Sequence, residues 1–155
     1  MKESVCLIQK FHKKGYGTGN SPDFSKPLHV IGGVIGDELV VEIKRKQRAF
    51  IKQITHLSPY RTASKCSHSP SCGGCSWQQV DYLFQLEQKQ QRVHELFASF
   101  IKEGFFLKPI LSCDRIWQYR NKMEFSFSQD RSGRQFLGLI LAGSRGHVFN
   151  LQECW

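Results

Sequence analysis

Residues 65–79 read K-C-S-H-S-P-S-C-G-G-C-S-W-Q-Q, and the rest of the sequence is arranged around this stretch, the cysteine loop. Cys72 and Cys75 are separated only by two glycines, so their thiolates can bind one centre from a single turn. Glycine at both intervening positions lets backbone N–H groups approach the sulfurs closely. Cys66 can close a face of the same centre, and Cys154 is the best candidate for a fourth ligand. The pattern predicts a metal or cluster site.

The composition is that of a globular protein with an excess of positive charge. The 155 residues are 40% hydrophobic and 23% charged, which suits one full domain or two small ones with a modest core. The formal net charge is +9, and such an excess of Lys and Arg favours a polyanionic partner, because it displaces condensed counterions from phosphates. Nucleic acid is therefore the expected partner, and a basic surface with no specific partner is the alternative.

Hydropathy and cysteine content bear on location. The first residues lead into no long apolar run, and no segment approaches the ~18 apolar residues that span a bilayer. Six cysteines without an export signal indicate a reducing compartment, in which thiols bind metals rather than form disulfides. We therefore expect a cytoplasmic protein with no membrane partner.

Residues 1–57 are expected to form a small β-barrel of the OB type, because short apolar strands alternate with glycine-rich turns. The expected strands are residues 5–11, 29–31, 38–43 and 49–54. Residues 15–23 are expected to be a long turn. Gly15, Gly17 and Gly19 resemble a nucleotide-binding loop, but such a loop needs a helix directly after it, and no helical period follows.

A basic tip, consisting of Lys44, Arg45, Lys46 and Arg48, is expected at the end of a hairpin in this unit. Given the charge of the whole chain, these side chains are predicted to contact nucleic-acid phosphates. The alternative is a solvated turn whose charges keep a sheet edge from pairing.

Residues 58–80 contain the cysteine loop, and a long helix is expected after it. Asp81 is predicted to cap a helix that runs to about residue 103 and is ended by Gly104. Its apolar residues recur at helical spacing and are expected to face the core: Leu83, Leu86, Val93, Leu96, Phe97, Phe100 and Ile101.

An antiparallel β-meander is expected in the rest of residues 81–155. Residues 119–128 alternate and predict a strand with Met123, Phe125 and Phe127 on a buried face. Residues 136–141 and 147–151 are expected to be the returning strands. The predicted fold class is therefore α+β: an OB-like barrel, a cysteine loop, one long helix and a β-meander.

The two remaining cysteines, Cys6 and Cys113, are expected to be packing residues. Cys6 lies in a predicted strand, and neither cysteine has a surrounding sequence that indicates an activated thiolate.

The motifs come in the order Cys66-x5-Cys72-Gly73-Gly74-Cys75-x-Trp77-Gln78, a helix, Tyr119-Arg120-Asn121-Lys122 and a late Cys154. In this order the sequence resembles the RNA (uracil-5-)-methyltransferases. The closest resemblance is to the 23S ribosomal RNA branch, which carries an N-terminal TRAM domain and a [4Fe-4S] cluster. Residues 1–57 resemble that TRAM domain, and the whole sequence resembles the N-terminal part of the enzyme.

The resemblance implies that Cys66, Cys72, Cys75 and Cys154 bind the [4Fe-4S] cluster. It implies RNA, from the 23S ribosomal RNA, as the partner, with the basic tip at phosphates. Arg120 and Lys122 are expected on the RNA backbone near the cluster; the alternative for Arg120 is that it braces the meander. The family reaction uses S-adenosylmethionine: a cysteine adds to C6 of a flipped-out uridine, C5 takes the methyl group, and a carboxylate removes the C5 proton.

In that family the S-adenosylmethionine site, the nucleophile and the base lie in a second, Rossmann-like half. No such half is found in these residues, so we expect them not to transfer methyl groups by themselves. Catalysis would then belong to the rest of a longer enzyme or to a separately encoded domain.

Two other functions remain open. Four thiolates also make a tetrahedral zinc site, so the chain can be a zinc-binding RNA module without an enzymatic partner. Zinc ribbons usually bring two CxxC knuckles, however, and one is visible here. A stand-alone RNA chaperone or ribosome-assembly factor is the third interpretation, and it predicts salt-dependent RNA binding without binding of S-adenosylmethionine.

Overall fold

Five strands close into a barrel, and two short helices and a three-stranded sheet follow. The structure is a computed structural model, which describes residues 2–155 apart from the side chain of Arg45. The barrel strands are β1 (Lys2–Phe11), β2 (Gly17–Ser21), β3 (Phe24–Ile31), β4 (Glu38–Ile43) and β5 (Arg48–His56). The later elements are α1 (Tyr82–Leu96), α2 (Ala98–Lys102), β6 (Ser126–Gln129), β7 (Gln135–Ile140) and β8 (Val148–Asn150). The predicted α+β class, with an OB-like barrel and a separate antiparallel sheet, is confirmed.

The barrel strands lie in the order β1-β2-β3-β5-β4, and β4 pairs with β1 to close it. Neighbouring strands are antiparallel except for β3 and β5, which run parallel. Alternate side chains point inward because successive residues of a strand face opposite sides. The almost fully buried interior consists of Cys6, Ile8, Leu28, Val30, Leu39, Val41 and Ala49. Each buried aliphatic side chain of this kind stabilises the fold by about 1.5–3 kcal/mol.

Strand β2 lies where a turn was expected at residues 15–23, so that prediction is wrong for the middle of the segment. Glycine usually weakens a strand, but here it is required for the close approach of two backbones. A Cβ on Gly19 would lie 2.1 Å from the carbonyl oxygen of Leu7 in the neighbouring strand. Tertiary packing therefore overrides the local turn preference.

The helix after the cysteine loop begins as predicted but is shorter. One carboxylate oxygen of Asp81 accepts from the N–H groups of Leu83 and Phe84 at 3.0 and 3.2 Å. The predicted single helix to residue 103 is wrong, because Phe97 (φ −103°, ψ 12°) departs from helical geometry and α2 begins after it. Gly104, with φ of +95°, follows the end of α2, as expected for a glycine stop.

The expectation that the apolar stripe of this helix faces a core is wrong for most of its length. Phe84 is the buried residue of α1, and it packs with Val34 and Val80 between the barrel and the helix. The stripe beyond it is open to solvent, with Leu96 61% and Phe100 49% exposed. Helical periodicity identifies one apolar face but does not show what covers it.

The sheet β6-β7-β8 is an antiparallel meander, as predicted, with a shorter first strand. The predicted buried face is wrong at its centre, because Phe127 is 87% exposed, and Phe125 is also an exposed side chain. Phe127 pairs across the sheet with Leu137, which is also exposed. The partly covered face of β6 carries Ser126 and Ser128 instead.

Candidate cysteine centre and nucleic-acid interface

Backbone pairing holds the cysteine loop against the meander. Cys72 forms an isolated bridge with Leu141, just beyond β7. The N–H of Gly73 donates to the carbonyl oxygen of Ile140 at 2.9 Å. A Cβ on Gly73 would lie 2.6 Å from that same oxygen, so the pairing requires a glycine at this position. The loop thereby extends the edge of the sheet.

A buried ion pair fixes the segment that leads into the loop. The carboxylate of Asp37 is fully buried and accepts from Arg61 Nη2 at 2.5 Å and from Arg61 Nε at 3.0 Å. The N–H groups of Val34 and Ser58 donate to the same carboxylate at 2.7 and 3.1 Å. Arg61 Nη2 also donates to the carbonyl oxygen of Gly32 at 2.7 Å. The segment is therefore attached to the barrel beside β4.

Two further contacts attach the loop and the meander to the barrel. Trp77 Nε1 donates to the carbonyl oxygen of Gly15 at 3.0 Å, and the indole packs on Phe11 with ring centroids 4.6 Å apart. Arg48 Nη1 donates to the carbonyl oxygen of Gly143 in the turn between β7 and β8. The barrel, the loop and the meander thus surround one region.

The thiols of the other three predicted ligands lie close enough to Cys72 for their charges to act on its pKa. Burial raises the pKa of the Cys72 thiol, and the N–H of Gly74 opposes this by donating to its sulfur at 3.3 Å. Three neighbouring thiols raise the pKa of Cys72 further: Cys75, Cys66 and Cys154. Partial burial raises the pKa of Cys154, an otherwise exposed residue; Cys75 and Cys66 add to this, and Arg120 opposes it.

The chemistry of these donors fits a thiolate-bound centre. All four cysteines are free thiols, and their mutual repulsion when ionised would be removed by a cation or cluster between them. Within residues 2–155, however, no three Cys, His, Asp or Glu side chains are arranged as a group that could hold a metal ion. The assignment of Cys66, Cys72, Cys75 and Cys154 as ligands therefore stays a prediction.

The cysteine cleft, a cavity of about 730 Å³, opens beside these thiols. Cys72 and Cys75 line it together with Arg120 and Lys122. Lys122 pairs with Glu124 at 2.9 Å, and both side chains are exposed. Arg120 and Lys122, the two predicted RNA-binding residues outside the basic tip, therefore lie beside the cysteine loop.

Two residues of the basic tip contact other parts of the protein, whereas contact with phosphates was predicted. A short 3-10 turn at Arg45–Gln47 leads from β4 to β5, and the side chain of Arg45 lies outside the described residues. Lys44 Nζ lies 2.6 Å from Glu42, Lys46 is exposed, and Arg48 contacts the Gly143 carbonyl. Phosphate contact by these residues stays a prediction.

A second cavity of about 1220 Å³, the basic groove, runs between β1, β3 and α1. Six cationic residues line it: Lys10, Lys13, Lys14, Lys26, Lys89 and Arg92. Sequence reasoning missed this groove, because the residues lie in three separate segments that folding brings together. The K-F-H-K-K run at residues 10–14 was the available signal.

The two other cysteines behave differently from each other. Cys6 is fully buried in the barrel, and burial raises the pKa of its thiol to about 11, which confirms its packing role. The same prediction is wrong for Cys113, which is exposed and whose thiol donates to the carbonyl oxygen of Arg115 at 3.1 Å. It lies in an irregular surface segment between α2 and β6.

Among the described residues there is no helix of the length and apolarity needed to cross a membrane.

Comparison with curated proteins found relatives over most of the chain. It is 40% identical over 83% of its length to an uncharacterized RNA methyltransferase of Protochlamydia amoebophila, covering 29% of that protein. It is 35% identical over 95% of its length to an uncharacterized RNA methyltransferase of Caldanaerobacter subterraneus, covering 33%. A third uncharacterized RNA methyltransferase, from Nanoarchaeum equitans, is 36% identical over 76% of the chain, and the match covers 24% of that protein.

No protein-family model matches the chain. The chain spans a third or less of the length of these three relatives. The N-terminal part that the motifs predicted is consistent with this partial coverage. The chain is therefore homologous, over most of its own length, to one part of proteins named as RNA methyltransferases.

Proposed function

We propose that these residues are the N-terminal, RNA-binding and [4Fe-4S]-bearing part of an S-adenosylmethionine-dependent RNA (uracil-5-)-methyltransferase that acts on 23S ribosomal RNA. One observation carries the proposal: Cys72 and Cys75 line a cleft together with Arg120 and Lys122, and the charges of Cys66 and Cys154 act on the thiol of Cys72. The names of the relatives support an RNA methyltransferase, and the motif order supports the uracil-5 type.

The four cysteines would hold the cluster. When bound, it would supply a covalent link between the cysteine loop and the segment after β8, which closes a long loop and stabilises the fold. Methyl transfer involves no net oxidation or reduction, so the role of the cluster would be structural. The N–H of Gly74 already donates to Cys72 Sγ, an interaction that favours the thiolate form needed for ligation.

Arg120 and Lys122 would hold phosphates of the RNA in the cysteine cleft. A guanidinium and an ammonium at one cleft suit this task, because both donate charge-assisted hydrogen bonds to phosphate oxygens. The S-adenosylmethionine site, the nucleophile and the base would lie in the remainder of the enzyme. Cys6 does not supply the nucleophile, since it is fully buried and a thiol pKa of about 11 leaves almost no thiolate at neutral pH.

The cluster is tested by anaerobic purification of the 155-residue chain with an absorption spectrum and analysis of iron, sulfide and zinc. The expected result is a brown protein with broad sulfur-to-iron bands and close to equal amounts of iron and inorganic sulfide. A colourless protein with stoichiometric zinc would show that the four cysteines bind zinc and not the cluster. Zinc is the second candidate that this donor set allows. A chain with neither metal would contradict both.

The reaction is tested with a full-length enzyme that contains these residues. It is incubated with 23S ribosomal RNA and labelled S-adenosylmethionine, and the RNA is digested to nucleosides. We expect label in 5-methyluridine. Label in a different base, in the ribose, or in transfer RNA alone would contradict the proposed substrate.

A further inference from the structure

The basic groove collects positive charge that the other described residues leave largely without acidic partners. Its cations come from the end of β1 and the turn after it, from β3, and from α1. Glu95 is the acidic residue among the described lining residues, and it pairs with Arg92 at 3.3 Å. The five lysines of the groove form no ion pair within residues 2–155. Such a concentration of like charge favours an anionic ligand.

Aromatic rings line the same groove. They are Phe11, His12, His29 and Trp77, and each is half-buried. The rings of His12 and His29 lie 4.9 Å apart, and His12 stacks on Tyr16 with an interplanar angle of 6°. Cations that follow a phosphate backbone, together with rings on which bases stack, are the combination that binds single-stranded nucleic acid.

The basic groove continues into the cysteine cleft. Lys14, Gly15 and Ser76 line both cavities and form the rim between them. The hydrogen bond from Trp77 Nε1 to the Gly15 carbonyl oxygen fixes this rim. On the far side of the rim, Arg120 and Lys122 continue the positive lining.

The positive charge of the groove affects the pKa of the His12 imidazole. Burial lowers the pKa of His12, and the positive charges of His29, Lys13 and Lys14 lower it further. An anion that enters the groove would act in the opposite direction, because a negative neighbour favours the protonated imidazole.

From this arrangement we propose that single-stranded RNA lies along the basic groove, with phosphates on its lysines and bases against its rings. The strand then passes over the rim at Lys14 and Ser76 and places a nucleotide in the cysteine cleft. This inference rests on the proposed function, since it takes RNA as the partner, and it adds where and in which form the RNA binds. The main contact is thereby moved away from the basic tip.

The test uses the 155-residue chain and a fluorescent single-stranded RNA of about twenty nucleotides, with a hairpin of the same composition for comparison. Fluorescence anisotropy gives the affinity at several salt concentrations. The groove variant is Lys13→Glu with Lys14→Glu, and its matched control is Lys44→Glu with Lys46→Glu in the basic tip. Both variants change the net charge equally and replace lysines at the surface. Thermal unfolding checks that both stay folded.

We expect the groove variant to bind the single strand about tenfold or more weakly, and the negative slope of log affinity against log salt to be shallower by about 1.4. The control should lose much less affinity, and the hairpin should bind the wild type more weakly than the single strand does. In NMR titrations of the wild type, RNA should raise the pKa of His12.

Several results would overturn the inference. Equal losses of RNA affinity in the two variants, or a larger loss in the control, would contradict the path along the groove but not RNA binding itself. Equal or tighter binding of the hairpin would remove the single-stranded form. Competition by polyglutamate at concentrations as low as those of RNA would indicate an acidic protein partner. A wild type that binds no RNA would overturn both this inference and the proposed function.

Photo-crosslinking tests the continuity of the path. The same single strand, with 4-thiouridine at successive positions, is bound to the wild-type chain and irradiated. We expect crosslinked peptides from residues 10–14 and from residues 120–124, at different positions of one RNA. Crosslinks that are confined to the first peptide would overturn the passage over the rim.

Discussion

The carboxylate of Asp37 and the guanidinium of Arg61 form a buried ion pair that joins the barrel to the segment leading into the cysteine loop. Asp37 is fully buried, and 13% of the Arg61 side chain is exposed. The backbone N–H groups of Val34 and Ser58 supply the remaining hydrogen bonds of the carboxylate. Because the oxygens of the Asp37 carboxylate have hydrogen-bond donors, the pair fixes how the cysteine loop meets the barrel. Removal of one partner leaves the charge of the other without compensation.

Asp37→Asn should therefore destabilise the chain strongly. Breaking a buried pair on one side costs about 3–5 kcal/mol, because the remaining ion is desolvated without a partner. The free energy of unfolding is measured by urea denaturation. The control is Glu3→Gln, which breaks the pair between Glu3 and Lys52, whose side chains are about half exposed, and which should cost at most about 1 kcal/mol. Equal effects of the two substitutions would contradict a structural role for the Asp37–Arg61 pair.

Gly73→Ala should separate the cysteine loop from the meander. A Cβ at this position would lie 2.6 Å from the backbone oxygen of Ile140, and a backbone atom cannot move aside cheaply. We expect a loss of about 1–3 kcal/mol in the free energy of unfolding. The matched control is Gly74→Ala, whose Cβ would meet the flexible end of the Leu139 side chain at 3.1 Å and should cost less. If the order of the two effects is reversed, the pairing of the loop with β7 is not what holds it.

The pH dependence of stability should report the buried thiol of Cys6. Burial raises its pKa to about 11 from an ordinary value of 9.0, so the folded state holds the proton more tightly than the unfolded state does. This contribution is fully present below pH 9 and is lost as the pH rises from 9 to 11, by up to about 3 kcal/mol.

Comparison with Cys6→Ala isolates this contribution, because lysines and tyrosines that titrate in the same range affect both proteins equally. Urea unfolding at pH 8, 9, 10 and 11 gives the difference in stability between wild type and variant. We expect the advantage of the wild type to shrink above pH 9. A difference that is constant over the whole range would show that the thiol keeps its ordinary pKa in the fold.

The parts of the fold that could be predicted are those specified by neighbouring residues. Alternating apolar residues predicted most barrel strands, and Asp81 marked the start of α1 because its side chain caps the next turn. Strand β2 could not be predicted, since the need for Gly19 arises from the Leu7 carbonyl of another strand. Phe127 was placed on the wrong face, because alternation defines two faces of a strand but not which one is covered.

The candidate site divides in the same way. The spacing of Cys72 and Cys75 and the position of Arg120 could be interpreted locally, and the structure places them at one cleft. The basic groove could not, because Lys14 and Lys89 are brought together only by the packing of α1 on the barrel through Phe84. Charges that converge from distant segments leave no periodic signal in a sequence.

The last prediction concerns the proposed fourth ligand. Cys154→Ala should cause loss of most of the iron from anaerobically prepared protein, because three thiolates would leave one position of the centre without a protein ligand. The melting temperature of the loaded protein should fall toward that of chelator-treated wild type, since the link from the loop to the segment after β8 is lost.

The matched control is Cys113→Ala, which makes the same chemical change at another exposed cysteine. Cys113 is not among the thiols that raise the pKa of Cys72 or Cys154, so its removal should leave iron content and melting temperature unchanged. Without metal, both variants should unfold like the wild type, because both side chains are exposed. If Cys154→Ala retains the full iron content while Cys113→Ala loses it, the fourth ligand lies in the irregular segment before β6. If neither loses iron, three thiolates of the loop suffice and the proposed link between loop and meander does not exist.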